Sequence, residues 1–149
     1  MANLAVTITE SVTINGALRG SSNTLTVTGI VDTFERVVTC PHSATTTIAT
    51  FATNVYDSAG AIDAQNVRYI RVSNLSDTYD VEIGVAGAAS NYSMLIPAGN
   101  SHIIARADDV MLAEADAVPT YGALADIAKL EVRPTASANV EVEVFVATV

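Results

Sequence analysis

Four runs decide the fold: Asn66-Val67-Arg68-Tyr69-Ile70-Arg71-Val72-Ser73-Asn74, Val81-Glu82-Ile83-Gly84-Val85, Tyr92-Ser93-Met94-Leu95-Ile96 and Ser101-His102-Ile103-Ile104-Ala105-Arg106. Each is short, rich in β-branched or aromatic residues and bounded by turn chemistry. The connector Pro97-Ala98-Gly99-Asn100 is short enough to return the chain antiparallel beside itself, so the stretch reads as the interior of a β-sandwich.

The same pattern extends in both directions. Upstream, Leu4, Val6, Ile8, Val12 and Ile14 share one parity against Thr7, Thr9 and Thr13, a period of two that marks strand, with Glu10 as the place for a bulge or bend. Asn15-Gly16 is a turn pair, Gly20-Ser21-Ser22-Asn23 a second polar break, and Leu25 and Val27 alternate with threonines until Gly29 ends or kinks the strand. Thr33 to Cys40 is a further strand that stops at Pro41. Ala44 to Phe51 is extended with little apolar weight on either face, which places it at a sheet edge or against another subunit, and Asn54 to Ala64 reads as a loop. Downstream, Thr120 to Lys129 carries Leu124, Ile127 and Ala128 at helical spacing, a short helix or irregular crossover. Leu130 to Arg133 is a short strand stopped by Pro134, and Val140, Val142, Val144 and Val146 line one face of the last strand. About ten short strands with at most one short helix near residues 120–129 make an all-β, antiparallel sandwich or jelly roll. Residues 1–149 form a single domain, with no internal repeat and no shift of composition.

A chain of 149 residues buries roughly 68 to 70% of its unfolded surface, enough for a core without staples. Cys40 is the lone cysteine, which excludes an internal disulfide, and with no cation beside it in sequence it reads as a buried structural thiol. Charged residues make up 15% of the chain against about 25% in an average soluble protein, so neutral surface abounds and self-association is expected. The net charge of −9 leaves no basic patch for nucleic acid or anionic membranes. No apolar run approaches the ~20 residues of a membrane span, and Met1-Ala2-Asn3-Leu4 does not begin a secretory signal, so synthesis in a cytoplasm without a signal peptide is expected.

Chemistry-bearing residues are sparse. His42 and His102 show no metal-ligand spacing and read as ordinary histidines. The acids Asp108, Asp109, Glu114 and Asp116, and the pair Asp77 and Asp80, lack the ligand-glycine alternation of a calcium loop and read as solvated loops. No Gly-x-Ser-x-Gly elbow or phosphate loop occurs, so no catalytic residue, metal site or cofactor is assigned and the chain is expected not to be an enzyme. Asn74-Leu75-Ser76 and Asn91-Tyr92-Ser93 match the glycosylation sequon, an accidental match without secretion. Arg68, Tyr69 and Arg71 form a candidate protein interface, since Tyr69 and Arg71 share the face opposite Ile70 and Val72. The other reading is a surface pair shielding the sheet.

In Asn66 to Leu75, Val81-Glu82-Ile83, Leu95 to Ser101 and Val140 to Val146, together with the Thr-rich first strands, the chain resembles small structural proteins of tailed-bacteriophage virions, particularly the capsid decoration or cement class. The resemblance implies a non-enzymatic protein on the outer capsid surface that bridges major capsid protein subunits, commonly as a trimer. Its acidic composition agrees with a place away from packaged DNA. One departure is the absence of an evident N-terminal arm for docking. A neck, tail or fibre component of the same virion, and an extracellular ligand- or glycan-binding module, are the alternatives; scarce aromatics weigh against the last.

Overall fold

The computed structural model describes residues 1–54, 56, 58–88, 91–112 and 122–149. Among these, fifteen strand segments and a three-residue 3-10 turn at Ala64–Asn66 occur, so the protein is all-β, as expected. The strand count exceeds ten because several segments are only two or three residues long.

The alternating valines place β15 (Val140–Thr148) at the centre of one sheet. Val140, Val142, Val144 and Val146 are at most 2% exposed, while Glu141 and Glu143 point away. β15 pairs antiparallel with β5 (Asp32–Cys40) on one side and β8 (Val67–Asn74) on the other, and β11 (Ser101–Ile104) completes the sheet beyond β8. The second sheet is built on β14 (Ile127–Pro134), flanked by β6 (Thr46–Ala52) and β9 (Val81–Gly87). β10 (Asn91–Ile96) lies outside β9, and β7 (Ile62–Asp63) runs parallel to the end of β6. Ile70, Val72 and the β15 valines meet Val81, Ile83, Val85, Leu130, Val132, Ile48 and Phe51 in one core. Side chains that alternate in sequence thus fill the space between two sheets.

The pairing order carries a stronger statement than "sandwich". Of the eight principal strands, first pairs with last (β5 with β15), second with seventh (β6 with β14), third with sixth (β8 with β11) and fourth with fifth (β9 with β10), all antiparallel. That is a long antiparallel hairpin rolled into two sheets, a jelly roll. In such a roll only the innermost connector stays within a sheet. The Pro97–Asn100 link, read from sequence as a hairpin, therefore turns through an Asn100 N–H to Pro97 C=O bond of 3.1 Å but carries the chain from one sheet to the other. Crossing lets Ile96 and Ile104 enter the core from opposite walls, at 2% and 7% exposure.

Two more sequence expectations change. Residues 124–125 and 127–129, expected as a helix or crossover, are extended: β13 (Leu124–Ala125) pairs with β12 (Met111–Leu112), and Ile127 opens β14. Ile127 gains burial at 1% exposure and Lys129 a backbone ladder to β6 and β9, which outweighs a weak helical spacing. Thr120 and Tyr121 lie outside the described residues. The expectation for Ala44 to Phe51 holds in part: β6 is covered by β7 only at Phe51 and Ala52, leaving the rest of that side at a sheet edge, but one face is not short of apolar weight, since Ile48, Ala49 and Phe51 enter the core.

The larger correction concerns the first thirty residues. They do not join the sandwich. β1 (Ala2–Thr9) pairs with β4 (Ser22–Ile30), and β2 (Val12–Ile14) with β3 (Ala17–Arg19), making one two-stranded ribbon around the Asn15-Gly16 turn. Asn15 and Gly16 have φ of 51° and 77°, the double left-handed geometry whose twist suits a two-residue hairpin loop. The register set there runs unslipped from Ile14 opposite Ala17 to Asn3 opposite Thr28, and Gly29 bulges before Ala2 meets Ile30. The chain thus has an N-terminal arm, contrary to the sequence expectation.

Candidate functional site

The arm is amphipathic. Because directly opposed residues of a ladder share a face, Leu4, Val6 and Ile8 lie with Val27, Leu25 and Asn23 on one side. Ala5, Thr7 and Thr9 lie with Thr26, Thr24 and Ser22 on the other, where the Thr7 and Thr24 hydroxyls are 2.9 Å apart and those of Thr9 and Ser22 3.0 Å. The hydroxyl face satisfies itself, and the apolar face needs a cover.

At its base the arm finds one within the chain. Leu4, Val6 and Val27 pack against Ile30, Tyr69 and Ala147, with Phe145 and Val149 alongside. Val31 N–H donates to Thr148 C=O at 2.9 Å, fixing the point where ribbon becomes β5. Further out, every residue from Thr7 to Thr26 is exposed. Ile8, Val12, Ile14, Leu18 and Leu25 are each between 49% and 73% exposed. A two-stranded ribbon with no third strand and no covered face is marginal in water.

Midway, the ribbon is constricted. Gly20 has φ of 117°, and a Cβ there would stand 2.1 Å from the Glu10 carbonyl oxygen, while Glu10 N–H donates to Ser21 C=O at 2.8 Å. The sequence break at Glu10 and the break at Gly20-Ser21 are opposite sides of one joint. Glu10 and Arg19 are the charged side chains of residues 1–31 and cancel, so the net charge of −9 belongs to the body.

The candidate interface residues lie beside the arm's base. Tyr69 and Arg71 do share the outward face of β8, as the parity requires, but Tyr69 is 4% exposed because the chain's own arm covers it. Its ring meets Phe145 edge-on at 6.1 Å. Arg71 pairs with Glu143 and places its guanidinium 5.8 Å from the Phe145 ring centre, within cation–π range. Arg68 donates to the carbonyls of Gln65 and Val67, at 2.6 and 2.9 Å. The structure brings Tyr69 and Arg71 together as an internal seat for the arm and turns Arg68 to the 3-10 turn. Sequence reasoning missed the pairing of these strands with one another although its signal was present: alternating residues mirrored about Asn15-Gly16, with the hydroxyls of Thr7 and Thr9 facing those of Thr24 and Ser22.

The remaining chemistry-bearing residues are dispersed. Cys40 is fully buried, and burial raises its thiol pKa, which suits a structural thiol. His42 contacts the Asn139 carboxamide through backbone N–H and ring, at 3.3 and 3.4 Å. His102 faces inward, and burial lowers its pKa. The Arg106 guanidinium bonded to Asp108 holds that carboxyl below the ordinary range, and Asp80 accepts from Ala98 N–H at 3.0 Å. Glu114 and Asp116 lie outside the described residues. Among the described residues no three His, Cys, Asp or Glu side chains come close enough to hold a metal ion. The sequon residue Asn74 is 2% exposed and wholly engaged with backbone, a structural position; Asn91 is exposed in β10.

Fold and surface together define a jelly-roll domain with an overhanging amphipathic ribbon. Comparison with known proteins finds no matching family model, no matching curated protein and no matching solved structure.

Proposed function

We propose that the protein is a non-enzymatic virion structural protein that decorates the outer shell of a tailed-bacteriophage capsid, bridging neighbouring major capsid protein subunits as a homo-oligomer, with a trimer favoured. The observation that carries this reading is the ribbon: an apolar face held out from a rigid body is a device for being covered in an assembly. The body supports it. Jelly rolls recur in capsid proteins, although a fold alone never assigns a function. Charge scarcity leaves neutral surface free to be covered, and the acidity of the body keeps it from packaged nucleic acid. The arm also removes the one departure from the decoration class noted in the sequence.

The deciding experiment is the copy number of this chain per purified particle, by quantitative mass spectrometry against the major capsid protein. Hundreds of copies in simple ratio to that protein are expected. Six to a few dozen move the chain to the neck or tail, and absence from particles ends the virion reading.

A further inference from the structure

We infer that the open edge of β6 accepts an extended peptide strand from a partner protein, and that Arg36 selects strands that bring a side-chain carboxylate to it. The site is separate from the ribbon. It needs nothing of the virion, because the purified chain alone tests it.

The sandwich is open along the side where β5 bounds one sheet and β6, with the two-residue β7, bounds the other. A cavity of about 300 Å³ lies there, lined by Phe34 and Arg36 of β5, Thr47 to Thr50 of β6 and Ile62 of β7. Ligand clefts run from roughly 300 to 1,000 Å³, so this one has room for a short segment. Successive residues of a strand alternate between its faces, so a wall made by four in a row is the strand's backbone edge. That edge sets the class of occupant. β14 pairs with one side of β6, and β7 covers the other only at Phe51 and Ala52, so the outer amides and carbonyls from Thr46 to Thr50 have no ladder partner. Such a row is matched group by group by the backbone of another extended chain. Thr46-Thr47-Ile48-Ala49-Thr50 also lacks the charges and prolines that blunt exposed edges. The strand does bulge: Ile48 is extra against β14, and both it and Ala49 turn inward, at 3% and 6% exposure. A bulge shortens the regular ladder, so side-chain contacts decide which strands bind.

β7 shows how an added strand sits. Ile62 and Phe34 line the cavity from opposite sheets, and both pack against the core. A strand continuing the line of β7 beside Thr50 to Thr46 meets Arg36 next. Phe34 and Val38 pack against the core and Cys40 is buried, so Arg36, of the same parity in β5, is aimed at the space between the sheets. Among the described residues it is the one ionisable group lining the cavity, and the ion pairs are made by Arg71, Arg106 and Lys129 instead. An inward-pointing charge on an edge strand turns away an ordinary apolar strand, which would cut it off from water without a partner. A strand with a carboxylate opposite Arg36 keeps the charge paired, through two parallel N–H···O bonds. The edge therefore fits a strand of five residues, about 17 Å long, with Asp or Glu on its inward side.

The test is fluorescence anisotropy of the purified full chain with labelled, amidated six-residue peptides of alternating Thr and Val, in which a single Glu is moved through the positions. One register is expected to bind saturably, with Kd on the order of 100 μM. Gln in place of that Glu is expected to weaken binding about tenfold or more, and so is N-methylation of the peptide's amides, which leaves its side chains unchanged. Arg36 is exposed, so Arg36→Gln keeps the body's melting while losing the same factor, and Arg36→Glu shifts preference to the peptide with Lys in that position. Bound peptide should also slow amide exchange in Thr46 to Thr50. The absence of saturable binding across the series overturns the inference. So does affinity indifferent to N-methylation or to Arg36→Gln, or full displacement by free glutamate, which would make the cavity a small-anion site. A change in the sedimentation of the unliganded chain on Arg36→Gln gives the edge to a second copy and overturns it too.

Discussion

Replacing Asn74 by aspartate changes one amino group to an oxygen and is expected to cost the fold a large part of its stability. Asn74 ends β8 at 2% exposure, and its carboxamide ties three segments together. The amide nitrogen donates to Tyr79 C=O at 2.9 Å and to Ile96 C=O at 3.2 Å, the oxygen accepts from Ser76 N–H at 3.0 Å, and the backbone N–H donates to Asn100 C=O at 2.9 Å. Ile96 belongs to the opposite sheet, so the side chain bridges the two walls where the Pro97–Asn100 link crosses. In Asn74→Asp, two carbonyls lose their donor and face a carboxylate. A protonated acid can serve one of them and strands the other. Lost bonds of about 1 kcal/mol each, plus about 1–3 kcal/mol for a buried acceptor left unpaired, give a deficit of about 3–5 kcal/mol near pH 7. Against a total of roughly 5–15 kcal/mol this lowers melting by on the order of 10 °C. The acid's pKa in the folded variant is raised, since only the neutral form donates. Its destabilisation is therefore smallest below the unfolded value near 3.9 and grows as pH rises, by up to about 1.4 kcal/mol per pH unit until the folded pKa is reached. Urea unfolding of both proteins by far-UV circular dichroism, at about pH 7 and about pH 4.5, measures both effects. A variant that unfolds at the wild-type midpoint, or a deficit that does not shrink with acid, refutes the assignment of Asn74 as the tie between the sheets.

Val144→Asp buries an unpaired carboxylate at a fully covered position in the central strand and is expected to prevent folding; a soluble variant with a cooperative melt would show the strand to be misplaced. Gly20→Val cannot hold the ribbon joint, because its Cβ meets the Glu10 carbonyl. It should fray the tip while the body's melting temperature stays within a degree or so, since surface changes rarely exceed ~0.5 kcal/mol. Hydrogen exchange that shows β2 and β3 as protected as in wild type would contradict this. His102 has a pKa lowered from 6.5 by burial, so the unfolded chain takes up its proton first, and stability is lost as pH falls below about 6.5 toward the folded value. His102→Gln should flatten the melting profile across that window, and an unchanged slope would assign the acid sensitivity to other groups.

The strands themselves were legible in the residues. Alternation in Val140 to Val146, the Asn15-Gly16 turn and the stop at Pro41 act over a few residues, and backbone sterics and side-chain period express them wherever the strand ends up. The buried thiol at Cys40 and the shared face of Tyr69 and Arg71 followed from the same local logic. What a period of two does not encode is the identity of a strand's neighbour. Pairing is a long-range choice, made by which arrangement lets Ile96 and Ile104 enter one core and lets Asn74 satisfy carbonyls from both walls. That choice turned the Pro97–Asn100 link from a hairpin into a crossing and drew Ile127 to Lys129 into a sheet. The arm shows the division most sharply. Residues 2–30 read as strands because they are strands, and nothing in their local pattern distinguishes a ribbon outside the sandwich from a pair within it. Only the tertiary structure decides that, because the two sheets close around their own core without β1 to β4 and the apolar face of the ribbon beyond its base stays exposed.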